Sequence, residues 1–193
     1  MVNVGFICEG DSDTLLFQSD ICSVFLRGLN INRVSVINAQ GSGNLLPHNI
    51  TGYIQSLEKQ GAEKIVIVTD LDDAPCFTFR KGQIGARLED TVVIAAKELE
   101  SWFLADSLSM RMLLRLQHFN FEFPENELEP LDTINNLLID HTGRGIGKSR
   151  SSKLKLAKRM LDFGYDFHRA AWHDNCPSAA YLVNKLTLIG DEA

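Results

Sequence analysis

This chain of 193 residues has little of what usually marks a protein's chemistry: 4 cysteines, 5 histidines, 5 prolines and 8% aromatic residues. Cys8, Cys22, Cys76 and Cys176 form no CxxC pair and have no histidine at zinc-site spacing, which excludes a zinc module and a disulfide framework. Cys8 lies inside an apolar run, where a buried thiol is expected. A reduced, cytoplasmic protein is the expectation. His48, His118, His141, His168 and His173 show no ligand spacing either. No apolar run is longer than a strand, so no segment suits a bilayer and no membrane partner is expected. Residues 1–6 carry neither a basic n-region nor a long apolar stretch, unlike a signal peptide. The formal net charge of −6 gives no global attraction for nucleic acid or anionic lipid. Low-complexity tracts and internal repeats are missing too, which sets aside disorder and solenoid architectures. With 45% hydrophobic and 23% charged residues, what remains is an ordinary globular chain, long enough for one core with a helical annex.

What the chain does have is alternation. The apolar run 2–8 stops at Glu9-Gly10-Asp11, as a buried strand entering a polar loop does. From Asp13, Leu15, Leu16, Ile21, Cys22, Phe25 and Leu26 fall on one helical face that ends near Gly28, with Asp11, Ser12 or Asp13 as N-cap. Residues 33–38 read as a second strand, 40–44 as a Gly-rich loop and 45–60 as a helix. Residues 64–69, rich in β-branched side chains, read as the third strand and 91–96 as the fourth. The strands are apolar throughout instead of alternating, which predicts a mostly parallel four-stranded α/β sheet with helices on both faces. Beyond Glu98 the pattern is helical: 102–116, 131–139, 151–163, 167–172 and 177–188. We expect an α/β core over 1–106 and a helical extension over 107–193 packed on it as one compact unit.

In such sheets ligands collect outside the carboxyl ends of the strands. Here those ends carry Glu9 after the first strand, Asp70, Asp72 and Asp73 after the third, and Glu98 and Glu100 after the fourth. If the first and third strands are neighbours, Glu9 and Asp70 converge. Any single loop acid is most simply a solvated one. Several in one cleft repel each other, and a hard divalent cation such as Mg²⁺ (or Mn²⁺) is the usual remedy.

Glu9-Gly10-x-x-Asp13 after the first strand and Asp70-x-Asp72 after the third resemble the signature of the Toprim domain of topoisomerases, primases and OLD-type nucleases. The run Lys97-Glu98-Leu99-Glu100-Ser101-Trp102-Phe103-Leu104-Ala105-Asp106 is similar to a segment of a bacterial Toprim-like family of unknown function, some members of which sit in phage-defence systems. Leu156-Ala157 and Cys176-Pro177-Ser178 fit the same family. The resemblance implies a Toprim-like (Rossmann-like) fold and a metal-dependent nuclease in which Glu9 is general base or metal ligand. Asp70 and Asp72 would hold Mg²⁺ as catalytic residues, and Glu98 and Glu100 would hold a second ion. If the segment holding them is extended, one at most of Glu98 and Glu100 points into the cleft, with Glu100 ahead because it adjoins Trp102. The implied partners are nucleic acid (DNA ahead of RNA), an ATPase encoded nearby, and a second copy in a homodimer.

Charge is unevenly spread. Residues 122–140 carry six acids and no base, and 141–160 carry seven bases and no acid. Arg144, Lys148, Arg150 and Lys153 are therefore candidates for contacting a nucleic-acid backbone, the alternative being a solvated loop and helix face. Gly143-x-x-x-Gly147-Lys148-Ser149 is one residue short of a Walker loop and follows a helix, so it is not one. Trp102 fits core packing better than base stacking. Two further readings stay open: a non-catalytic regulatory or sensor module with a structural or vestigial metal site, and a small-molecule phosphohydrolase. The latter is disfavoured because the Asp pair follows the third strand, not the first.

Overall fold

The computed structural model of the chain describes residues 1–147 and 149–192, and of Arg150 the backbone alone. Among the described residues β1 (Val2–Cys8), β2 (Ile31–Asn38), β3 (Lys64–Asp70) and β4 (Thr91–Ala95) form one parallel sheet in the order β2-β1-β3-β4. Parallel neighbours need crossovers. These are α1 (Asp11–Gln18) with α2 (Asp20–Gly28), a 3-10 turn (Ser42–Leu45) with α3 (Pro47–Lys59), and α4 (Phe77–Gln83). The rest is helical: α5 (Glu100–Ala105), α6 (Ser107–Leu114), α7 (Pro130–Thr142), α8 (Arg150–Asp162), α9 (Phe167–Ala171) and α10 (Pro177–Gly190). The expected α/β class, with a parallel sheet and C-terminal helices, is what the structure shows. Among the described residues no helix is long and apolar enough to cross a membrane.

Alternate strand residues point to opposite faces, and both faces are apolar. Ile7, Ile65, Ile67, Val92 and Ile94 pack on Ile50, Ile54 and Leu57 of α3. Gly5 lets that helix approach: a Cβ there would stand 3.0 Å from the Leu57 side chain. On the other face Val4, Phe6, Cys8, Val66, Val68, Val93 and Ala95 join a core that runs on through α1, α2 and α5 to α10. Aromatic rings tie its ends together, with Phe17 5.3 Å from Phe6 and 5.6 Å from Phe167. Trp102 is wholly buried there, as expected of a core residue, and donates its Nε1–H to Ser178 Oγ at 2.7 Å. The Ser178 hydroxyl in turn donates to Glu125 at 2.6 Å.

Two predicted helices are each broken in two, for the same reason. Short polar side chains compete for backbone groups. Ser19 donates its hydroxyl to Leu16 O (2.7 Å) and accepts from Cys22 N (3.1 Å), closing α1 and capping α2. Arg33 of β2 then satisfies the carbonyls of Phe17 and Ser19 at 2.5 and 3.0 Å. Asp106 caps α6 through Ser109 N (3.3 Å) and accepts a two-pronged bond from Arg169 (2.7 and 2.8 Å) while fully buried. The short α4, with Phe77 and Phe79 left exposed, has no apolar stripe and was not anticipated from the sequence.

Candidate functional site

Because β1 and β3 are neighbours, the ladder carries Glu9 to the side of Asp70. Cys8 pairs with Val68, and Glu9 N extends the ladder to Val68 O at 3.1 Å. One oxygen of Glu9 accepts from the Thr69 hydroxyl, from Asp70 N at 3.3 Å and from Arg80 Nη2 at 3.0 Å. Arg80, buried on α4, also donates to Asp70 O (3.0 Å) and Thr69 Oγ1 (2.8 Å), and stands 3.9 Å from Asp72. It thus fixes Glu9 against the end of β3.

Asp70 accepts from Leu99 N at 2.9 Å through Oδ1. Asp72 follows in a left-handed conformation (φ 48°), as does Lys97 across from it (φ 57°). The two loops are stitched by Asp72 N to Lys97 O (2.9 Å) and Lys97 Nζ to Asp72 O (3.2 Å). Non-glycine residues hold such backbones only where surroundings enforce them, so the ends of β3 and β4 are fixed relative to each other. Asp13 joins from α1. It accepts from Gly10 N (3.1 Å) and Ser12 Oγ (3.2 Å), which explains the Glu-Gly-x-x-Asp spacing: the aspartate ties down the turn that presents Glu9.

Glu98 and Glu100 do not lie on an extended segment. The chain turns into α5 at Glu100, and residues two apart on an extended segment would in any case point to the same side, so extension gives no ground for admitting only one of them to the cleft. Both reach the same cation, Lys153 of α8, whose Nζ lies 2.9 Å from Glu98, 3.6 Å from Glu100 and 3.7 Å from Asp70. Glu100 is 1% exposed, and neither of its carboxylate oxygens has a hydrogen-bond partner among the described residues.

The electrostatics follow from this crowding. Burial, then repulsion from Asp13 and Glu100, raises the Asp70 carboxyl well above its ordinary range. Burial raises Glu100 to about 7 and Asp13 to about 6, in each case against the pull of Lys153. Asp72, though exposed, is raised by partial desolvation and by Glu9. Burial works against the charge of Lys153, but Glu100, Asp70 and Glu98 outweigh it and hold the ammonium above its ordinary value. The cleft measures about 340 Å³, and its lining includes Glu9, Asp13, Asp70, Asp72 and Lys153 but neither Glu98 nor Glu100.

As the side chains stand, no three Asp, Glu, His or Cys residues among those described are gathered closely enough to hold a metal ion. The positive charge where the acids converge is the Lys153 ammonium. The donor set nonetheless suits a hard divalent cation. It consists of carboxylate oxygens, and the two of Glu100 are buried with no hydrogen-bond donor to satisfy them.

The structure therefore brings together Glu9, Asp70, Asp72, Glu98 and Glu100, and adds Asp13, Thr69 and Arg80. Lys153 belongs to this cluster and does not stand on an open basic wall. Arg144 is exposed between α7 and α8, away from the cluster's lining. Lys148 lies outside the described residues, as does the side chain of Arg150. Arg80 could have been sought in the sequence only as the nearest arginine following the Asp pair.

No family model and no curated protein matches the chain. Among solved structures, the C-terminal region of the Burkholderia pseudomallei OLD protein is similar to it, with a TM-score of 0.46 and 18% identity over 97% of this chain and 99% of that one. The Toprim resemblance accordingly rests on the motif residues.

Proposed function

We propose that the chain is a Mg²⁺- or Mn²⁺-dependent phosphoryl-transfer enzyme, a nuclease acting on nucleic acid, with the phage-defence setting that the motif resemblance implies. The observation that supports this most is the convergence of Glu9, Asp70, Asp72, Glu98 and Glu100 from three adjacent strand ends, with Glu100 buried and without hydrogen-bond partners. Asp70, Asp72 and Glu9 would hold one cation and Glu98 with Glu100 a second. A bound cation of this class supplies Lewis-acid activation of a phosphodiester and neutralises charge on it. The chain's own contribution is positional. Arg80 and Thr69 hold one oxygen of Glu9, which leaves the other as a proton acceptor at the cleft. Lys153 places a positive charge next to the acids, suited to an anionic phosphoryl group.

A non-catalytic module is favoured by one observation: Lys153 and Arg80 already neutralise much of the acidic charge. Calorimetric titration with Mn²⁺ and cleavage assays on single- and double-stranded DNA and RNA separate the two. The nuclease reading expects Mn²⁺ binding and cation-dependent cleavage, both abolished by Asp70→Asn. Cleavage that survives Asp70→Asn, or no cation binding at all, rejects it.

A further inference from the structure

Away from the carboxylate cleft, three helices end around a second recess. Its volume is about 540 Å³, and its lining includes Arg115, Arg144 and Arg159. Arg115 caps α6, Arg144 follows the end of α7, and Arg159 lies in the last turn of α8. In a chain of net charge −6, three guanidinium groups around one cavity run against the overall balance. None of the three makes an ion pair among the described residues, although Asp162 lines the same recess. Arg115 moreover holds the left-handed backbone (φ 58°, ψ 39°) that helix ends normally give to glycine or asparagine. Leu113, Leu138 and Phe163 also line the recess. The volume falls in the range of small-molecule sites, about 300–1,000 Å³.

A plain alternative is that each arginine merely offsets the negative end of its own helix. That role does not require the three to share a cavity. Three guanidinium forks lining one recess match a ligand that carries several phosphate oxygens. We infer that this recess is an anion site for the phosphate groups of a nucleotide or nucleic acid, held by Arg115, Arg144 and Arg159 and separate from the carboxylate cleft. The ligand class rests on the proposed function. The anion site itself does not.

Fluorescence anisotropy with a labelled oligothymidylate of about twelve nucleotides, within the usual span of single-strand sites, tests this in EDTA, where the carboxylate cleft takes no part through metal. Arg144→Glu alone, on a loop, should weaken binding about tenfold, and the triple change Arg115→Gln, Arg144→Gln, Arg159→Gln on the order of a hundredfold. The slope of log K against log salt should fall by about 2 in the triple variant, since each lost contact to a single strand removes roughly 0.7. Inorganic tripolyphosphate that displaces the oligonucleotide identifies a free polyphosphate ligand. Failure to displace it identifies the polymer backbone. Arg27→Gln, at an exposed arginine outside both recesses, should bind as the wild type does, and because the assay runs in EDTA its outcome does not depend on whether the chain cleaves. Wild-type protein that binds neither probe overturns the inference. So do arginine variants that melt lower but bind unchanged, because the arginines would then serve only their helices.

Discussion

Glu100→Gln removes the charge of a buried carboxylate and keeps its shape, so it isolates what crowding costs the fold. The ordinary value for Glu100 is 4.5, and burial raises it to about 7 in the folded chain. Below that ordinary value both the folded and unfolded states carry the proton. Between the two values the unfolded chain has released a proton that the folded chain keeps, so stability falls as pH rises, by about 1.4 kcal/mol per pH unit. Above about pH 7 the loss is complete and amounts to roughly 3 kcal/mol. An amide has no charge to desolvate and lacks this slope. It does bring two buried N–H donors into a place shaped for a carboxylate, a cost of about 1–3 kcal/mol if they stay unpaired.

The informative quantity is therefore the change in the difference between the two proteins. Moving from about pH 5 to about pH 8 in EDTA, the variant should gain about 2–3 kcal/mol on the wild type. For a chain of this size that is roughly 4–12 °C in melting temperature. Urea unfolding of both proteins at the two pH values, with m-values compared to confirm two-state behaviour, measures it. A stability difference that is the same at both pH values would refute the reasoning, since Glu100 would then be ionised at no cost. So would a variant that loses ground as pH rises.

Three further changes probe neighbouring parts of the same logic. Lys153→Met strips Asp70, Glu98 and Glu100 of their shared counter-charge, and should cost on the order of 3 kcal/mol near neutral pH in EDTA. Millimolar Mn²⁺ should restore part of that loss, since a ligand that binds only the folded state stabilises it. Urea unfolding that shows no such recovery contradicts the fit of the donor set to a cation. Arg80→Lys cannot reproduce the fork on Glu9, Thr69 and Asp70, and should lower Mn²⁺ affinity roughly tenfold in calorimetry while the melting temperature stays within a few degrees. Unchanged affinity would free Glu9 from any dependence on that brace. Asp106→Ala removes the buried partner of Arg169 and the cap of α6 together, costing about 3–5 kcal/mol by urea unfolding. Mn²⁺ binding should be unaffected, because Asp106 does not line the carboxylate cleft.

How much could be read in advance depended on whether a residue announced itself in one dimension. The strands did, because each is a run of apolar, mostly β-branched residues that stops at an acid. The parallel sheet then put Glu9, Asp70 and Glu98 at one edge by topology alone. Helix breaks at Ser19 and Asp106 were hidden, because both sit inside good helical periodicity and act through bonds to Arg33 and Arg169, distant in sequence. Arg80 was hidden for a different reason. Its helix is short and keeps Phe77 and Phe79 exposed, so no stripe marked it. On an extended segment Glu98 and Glu100 would point to the same side, and the turn into α5 at Glu100 is not marked in the apolar pattern. In the sequence Lys153 is one base among seven, with nothing to mark its pairing with Asp70, Glu98 and Glu100. The packing of α8 against α1 turns Lys153 inward, while Arg144 stays exposed.

That inward turn changes how the C-terminal helices should be regarded. Asp70, Glu98 and Glu100 end the strands of an α/β core, yet the charge that makes their proximity tolerable comes from α8. The same helix carries Arg159 in its last turn, at the second recess, so its two ends stand at two separate concentrations of charge. Six residues separate Lys153 from Arg159, about 9 Å along the axis. Any movement of α8 that withdraws Lys153 from the acids must therefore also shift Arg159 relative to Arg115 and Arg144. A cation entering the cleft competes with Lys153 directly, because both seek the same carboxylate oxygens.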